Sequence, residues 1–209
     1  MQKKIAVIND LSGYGRCSLT VAIPVLSVMG HQCCPVPTAI LSNHTEFPVY
    51  FFDDYTEKMT AYTDKWKELG LSFDAVATGF LGSEAQIEIV MDMIRKLESE
   101  ETFVVVDPVM GDHGHAYETY TPEMCEQMKE LVCMADIVLP NVTECCILTD
   151  TPYKKENWTR RELLNMAMML RLMGAKSVVI TGVREGSYYT NVVLERGQME
   201  AKFIRTRSS

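Results

Sequence analysis

The stretch that most constrains this chain is Val104-Val105-Val106-Asp107-Pro108-Val109-Met110-Gly111-Asp112-His113-Gly114. An unbroken β-branched run with no polar face belongs to a strand covered on both sides, as in a parallel sheet packed between helices. Asp107 falls where that strand gives out, and Pro108 forbids a helix at that point. Gly111 and Gly114 free the backbone to turn. Asp107 and Asp112 are therefore expected on a loop at a strand's C-terminal end, where parallel α/β sheets bind ligands. Asp and Gly are also ordinary turn residues. These residues alone leave an acidic surface turn and a ligand loop both open.

The rest of the chain repeats the strand-then-helix pattern. Residues 3–9, 33–41, 74–78, 136–139 and 177–181 read as further strands, the second broken by Pro35 and Pro37 and so expected toward a sheet edge. Between them lie helical stretches. Residues 16–29 are apolar-rich and end at Gly30. From Asp53, Tyr55, Met59, Tyr62, Trp66 and Leu69 share one face. Ser83 with Gln86, and Thr159 with Glu162, spell capping boxes, while Thr121-Pro122-Glu123 is a strong helix start. Residues 187–195 and 199–204 alternate as a hairpin across Arg196-Gly197-Gln198. The expected fold is α/β: one three-layer α/β/α domain over residues 1–209, with a mainly parallel central sheet and right-handed crossovers.

Composition narrows the partners. With 47% hydrophobic residues the chain can bury a core, and a formal net charge of −8 argues against nucleic acid or an anionic membrane as the main partner. No signal peptide and no apolar run of membrane-spanning length is read. Seven cysteines in no zinc-like spacing suggest reduced thiols in the cytoplasm.

In a parallel sheet the loops that follow the strands share one edge. Asp10, Ser12, Gly13, Gly15, Ser42 to Thr45, Gly79, Phe80, Asp107, Asp112, Asn141, Glu144, Thr181 and Gly182 are all expected there, which is the pattern of a site. Gly13-Tyr14-Gly15-Arg16-Cys17-Ser18 nearly matches a dinucleotide fingerprint. Its third glycine is Ser18, however, and the second strand ends Thr-Ala-Ile-Leu without an acid for the ribose. Asn141-x-x-Glu144 reads by itself as a capping box before it reads as part of a site, and the two roles are compatible. His113 and His115 have no third ligand nearby. Cys145 and Cys146 have no adjacent base and read as core residues.

Taken in order, Asp107-Pro108-Val109-Met110-Gly111-Asp112, Pro140-Asn141-x-x-Glu144 and Val178-Val179-Ile180-Thr181-Gly182 resemble the vitamin B6 kinases of the ribokinase-like superfamily. Ser42-Asn43-His44-Thr45 resembles their substrate loop, Thr78-Gly79-Phe80 a further pocket segment, and Ile8 to Gly15 the first substrate turn of the bacterial pyridoxine kinases. The resemblance implies ATP-dependent phosphorylation of the 5′-hydroxymethyl group of pyridoxal, pyridoxine or pyridoxamine by a cytoplasmic homodimer. It implies that Asp10, Thr45 and Phe80 contact the vitamer and that Asn141, Glu144, Thr181 and Gly182 lie along the ATP phosphates. Asp107, Asp112 and Glu144 would hold Mg²⁺, partly through water. Two positions depart from the pattern: Asp10 stands where many members have serine, and Leu139 replaces a threonine associated with a monovalent-cation site. The family's Gly-Thr-Gly-Asp motif, which supplies an anion hole and the aspartate general base, does not occur in residues 1–209. The resemblance thus implies a ribokinase-like domain incomplete at the C-terminus, its catalytic aspartate expected beyond Ser209.

Three other readings compete. Hydroxymethylpyrimidine kinase shares the Asp-Pro-Val-Met segment, and the His44-Thr45 pair favours a phenolic pyridine over it. A nicotinamide-dependent oxidoreductase needs the fingerprint that Ser18 breaks. A non-catalytic ligand-binding remnant is the reading that the missing motif leaves open.

Overall fold

The computed structural model describes residues 2–45, 47–97, 99 and 101–207. The fold is α/β, and the chain divides into two compact units, Met1–Val104 and Val105–Ser209.

The first unit contains β1 (Lys4–Ser12), α1 (Leu19–Val28), β2 (Gln32–Leu41), β3 (Phe52–Asp54), α2 (Thr56–Glu68), β4 (Ala75–Thr78) and α3 (Glu84–Leu97). β1 pairs in parallel with both β2 and β4, and β3 adds antiparallel to the end of β2. Ala6, Ile8, Val36 and Val76, all fully or almost fully buried, form the strand side of its core. Residues 10–12, expected as a turn, instead prolong β1: after a register shift at Asn9/Leu11, Leu11 and Ser12 pair with Ile40 and Leu41. Pro35 and Pro37 sit where β2 pairs with β1 but not with β3, which reaches only Ala39 to Leu41. A missing N–H is tolerated on such an edge.

Two helix readings need correction. Leu69 is not on the buried face of α2; it is the C-cap residue and 73% exposed. Gln86 does not close a reciprocal capping box. Its backbone N–H reaches Ser83 Oγ at 3.3 Å, but its buried side chain ties several elements together. Nε2 donates to Thr38 O, Asp54 Oδ1 and Thr56 Oγ1, while Oε1 accepts from Gly82 N. The expected stripe Ile87, Val90, Met91, Ile94 and Leu97 is buried throughout.

The boundary between the units falls within β5 (Phe103–Val106). The second unit continues with β6 (Gly111–Asp112), β7 (His115–Ala116), α4 (Pro122–Cys133), β8 (Ile137–Val138), α5 (Val142–Leu148), α6 (Arg160–Met173), β9 (Ser177–Glu185), β10 (Tyr188–Leu194) and β11 (Lys202–Arg207). β5, β8 and β9 run parallel, and β10 and β11 follow antiparallel as a meander. Thr121 caps α4 by accepting from Met124 N, and Thr159 with Glu162 forms a full capping box on α6. Leu163, Met166, Ala167 and Leu170 turn α6 onto the core.

Candidate functional site

In the second unit the ends of β5, β8 and β9 come together as the parallel pattern requires. Leu139 N donates to Val106 O, Thr181 N donates to Pro140 O at 2.8 Å, and Asn141 bridges to Thr181. Around these ends lies an open cleft of about 310 Å³, lined by Asp107, Asn141, Glu144 and Thr181 together with Val109, Tyr117 and Leu139.

The two carboxylates are brought together by the turn after β5. Val109 N donates to the Asp107 carboxylate, Met110 N donates to Glu144 Oε1 at 3.0 Å, and Gly111 N also reaches Glu144. Glu144 Oε2 accepts from Asn141 N at 2.8 Å, and Asn141 Oδ1 accepts from Glu144 N at 3.0 Å. That is the reciprocal box that starts α5. Asn141 Nδ2 then donates to Gly111 O at 2.8 Å, so the cap residue also holds the turn. Capping and site building are carried by the same atoms.

Electrostatics follow from the burial. Glu144 is 3% exposed. Loss of water raises it to about 7, against the lowering effect of its backbone donors and with a further push from the Asp107 charge. Asp107 is raised to about 6, again by burial first, although its edge remains partly open to the cleft. Groups shifted this far in a cleft mark a candidate functional site.

The other expected residues of this unit lie differently. Asp112 is on the β6–β7 hairpin with its side chain 56% exposed, and its Oδ1 accepts from His113 N at 2.7 Å. It does not line the cleft. Gly182 continues β9 at φ +67°, its N–H directed to Asn191 Oδ1 at 3.2 Å. Among the described residues no group of three or more His, Cys, Asp or Glu is placed to hold a metal. What the cleft offers is two carboxylates with amide and hydroxyl oxygens. That donor set fits Mg²⁺, which keeps several waters and takes one or two carboxylates, and it does not fit a fully protein-ligated ion.

In the first unit two of the candidate vitamer residues, Asp10 and Phe80, meet at Asn9, a residue that no motif singles out as a site residue. Asn9 Oδ1 accepts from both Asp10 N and Phe80 N, each at 2.9 Å, and so fixes the end of β1 against the loop after β4. This approach requires Gly79: a Cβ there would stand 2.2 Å from Asn9 Nδ2. Asp10 is 6% exposed and accepts from Ser12 Oγ at 2.8 Å. Thr38 Oγ1 donates to Phe80 O at 2.9 Å. Thr78, the last residue of β4, has its Oγ1 buried with no hydrogen-bond partner among the described residues. Thr45 is exposed on the loop where His44 N donates to Tyr14 O at 2.9 Å. An Asn immediately before the candidate Asp, three residues before Ser12, is the signal that could have drawn attention to Asn9.

Parallel strands ending in a carboxylate-bearing cleft, followed by an antiparallel meander, belong to an α/β fold of the ribokinase-like type, which the solved structures below share. The chain belongs to the phosphomethylpyrimidine kinase family, whose profile matches residues 22–208. It is 41% identical to a Bacteroides thetaiotaomicron protein solved with pyridoxal and designated a phosphomethylpyrimidine kinase (TM-score 0.94, covering 99% of this chain and 73% of that one). The pyridoxal kinase of Lactobacillus plantarum superposes with a TM-score of 0.88 at 28% identity, over 98% of this chain and 72% of that one. The Dictyostelium discoideum pyridoxal kinase is 29% identical over 190 residues, 88% of this chain. The chain spans 61% of that relative's length.

Proposed function

We propose that this chain serves a kinase that transfers the terminal phosphoryl group of ATP to the 5′-hydroxymethyl group of pyridoxal, pyridoxine or pyridoxamine. The observation that carries the reading is the convergence of Asp107 and Glu144 in an oxygen-lined cleft, on a chain 41% identical to a protein solved with pyridoxal. Residues 1–209 are taken as parts of one kinase domain, a reading supported by structural matches that cover 99% of the chain.

In this proposal Asp10, Thr45 and Phe80 bind the vitamer, while Asn141, Glu144, Thr181 and Gly182 lie along the ATP phosphates. Asp107, Asp112 and Glu144 would hold Mg²⁺, which would offset the negative charge of the phosphates. Of the three, Asp107 and Glu144 have the support of the cleft. Phosphoryl transfer asks a protein for positioning and charge neutralisation more than for covalent chemistry. The backbone donors that fix Glu144 and Asp107 supply the positioning. Leu139 makes one wall apolar, and the proposal includes no monovalent-cation site there.

A homodimer is part of the proposal. Its support is α1, an apolar helix on which only Leu19 is buried while Val25 is 50% and Val28 89% exposed. A cytoplasmic setting is supported by the seven cysteines, which stand as free thiols. No helix among the described residues is long and apolar enough to cross a membrane.

Asp10 provides the first test. Asp10→Ala is expected to weaken pyridoxal binding about 10- to 100-fold, the loss of about 1.5–3 kcal/mol for a charged hydrogen bond, and to leave ATP binding within about two-fold. Calorimetric titration with each ligand measures both. Equal losses for the two would make Asp10 a purely structural partner of Ser12.

Turnover provides the second. Residues 1–209 contain no Gly-Thr-Gly-Asp motif, and a general base is typically worth 10²–10⁴ in rate. The 209-residue protein is therefore expected to phosphorylate pyridoxal far below ~1 s⁻¹, the low end for kinases. A rate near ~1 s⁻¹ in a coupled assay would place the base among these residues.

A further inference from the structure

We infer that Thr143 is a positioning residue for the nucleotide cleft, acting through the β6–β7 hairpin. The inference rests on the kinase reading for the identity of the ligand, and on hydrogen bonds within the second unit for the mechanism.

The hairpin is too small to hold itself. It has two residues per strand, pairing Gly111 with Ala116 and Asp112 with His115, and even much longer isolated hairpins are marginal in water. Its turn carries His113 at φ +52° and Gly114 at φ +87°, and the segment leading into it carries Val109 at φ +43°. A β-branched residue in the left-handed region is a true outlier, and such backbone persists only where its surroundings over-determine it. Val109 lines the cleft, so its strain sits at the site wall.

The surroundings that over-determine it are the first residues of α5. Asn141 Nδ2 holds Gly111 O at the hairpin's base, and Glu144 holds Met110 N. At the tip, Gly114 N donates to Thr143 Oγ1 at 2.9 Å. Thr143 is 2% exposed and does not line the cleft. Its hydroxyl therefore serves the hairpin and not the ligand. Tyr153 closes the tip from the other side: a Cβ on Gly114 would stand 2.4 Å from Tyr153 Cδ1. The strand leaving the hairpin returns to the cleft wall, where Tyr117 N donates to Met110 O at 2.9 Å. Releasing the tip thus loosens both Val109 and Tyr117, two of the walls against which a nucleotide would be held. Asn141 and Glu144 each have a second role in the cleft, but Thr143 isolates the positioning function.

The test compares Thr143→Val, which keeps the shape and removes the acceptor, with Thr143→Ser, which keeps the acceptor. Amide hydrogen exchange of the metal-free 209-residue protein reads the hairpin, and calorimetric titrations with Mg·ADP and with pyridoxal read the two ligands. Thr143→Val is expected to speed exchange across residues 110–117 about ten-fold, the effect of one lost hydrogen bond, and to weaken Mg·ADP binding by a similar factor. Exchange in β1 and α3 and the affinity for pyridoxal should not move, and Thr143→Ser should restore all values. A merely structural role would lower both affinities together or neither. Unchanged exchange at residues 110–117, or faster exchange with unchanged Mg·ADP affinity, overturns the inference. If the unsubstituted protein binds no Mg·ADP, the kinase reading fails, and the exchange comparison by itself decides whether Thr143 fixes the hairpin.

Discussion

Glu144→Ala is expected to cost this protein both the nucleotide affinity proposed for the cleft and a large part of its stability. The carboxylate accepts from the backbone N–H groups of Asn141 and Met110, with Gly111 as a third donor, and the residue is 3% exposed. Removing it leaves buried donors without partners, at about 1–3 kcal/mol for each. The turn that carries Val109 and the start of α5 lose their common anchor. We expect Mg²⁺-dependent ADP affinity to fall by at least about 10²-fold, equivalent to roughly 3 kcal/mol, and the urea midpoint to fall with it. Glu144→Gln retains an acceptor oxygen and separates the two effects. It should recover much of the stability and little of the Mg²⁺-dependent affinity, because the charge is gone. Titration calorimetry and urea unfolding on both variants measure this. An Ala variant with unaltered stability would mean that the hydrogen bonds to Glu144 contribute nothing net.

The second large effect is a stability that declines as pH rises, opposite to the usual behaviour of carboxylates. Burial raises Asp107 from an ordinary 3.8 to about 6, and burial raises Glu144 from 4.5 to about 7. A raised carboxylate binds more protons in the folded than in the unfolded chain between its two pKa values, so stability falls as pH climbs through that window. For these groups the window runs from about 4 to about 7. Each pKa unit corresponds to about 1.4 kcal/mol. Glu144 then accounts for roughly 3 kcal/mol, and Asp107, partly open to the cleft, for less. Glu162 is held down to about 2, first by the Lys154 ammonium, and acts in the opposite direction only below pH 4.5. Thermal unfolding in EDTA should give a higher Tm at pH 5 than at pH 8, and Mg·ADP should remove most of that difference. A Tm that is flat or rising from pH 5 to 8 would mean that the pair is not desolvated.

Much of the scaffold was legible in the sequence because local chemistry and long-range packing ask the same of it. Val104 to Val106, the stripe Ile87 to Leu97, and the caps at Thr121, Asn141 and Thr159 each carry a local signal, and each is found in its expected role. The misses share a cause: they depend on partners far along the chain. Gln86 spells a capping box with Ser83, but hydrogen bonds to Thr38, Asp54 and Thr56 win its side chain. The three-residue β3 and the two-residue β6 and β7 are too short for any periodicity, and they exist because β2 and α5 offer them partners. Asn9 reads as the last residue of the first strand, and its role emerges only from the hydrogen bond that Phe80 donates to it across 71 positions. For the candidate site, motif order brought Asp107, Asn141, Glu144 and Thr181 into one list, and the cleft brings the same four together. Asp112, two residues along a tight hairpin, faces outward because the strand pairing fixes which way it points. No motif encodes that direction.

The proposed acceptor is a B6 vitamer and not a pyrimidine alcohol. Parallel calorimetric titrations of the 209-residue protein with pyridoxal and with hydroxymethylpyrimidine, in the presence of a non-hydrolysable Mg·ATP analogue, test it most directly. Pyridoxal is expected to bind at least about ten-fold more tightly, because buried polar groups such as Asp10 meet a ligand that pairs with them. Tighter binding of hydroxymethylpyrimidine, or of neither alcohol, would contradict it.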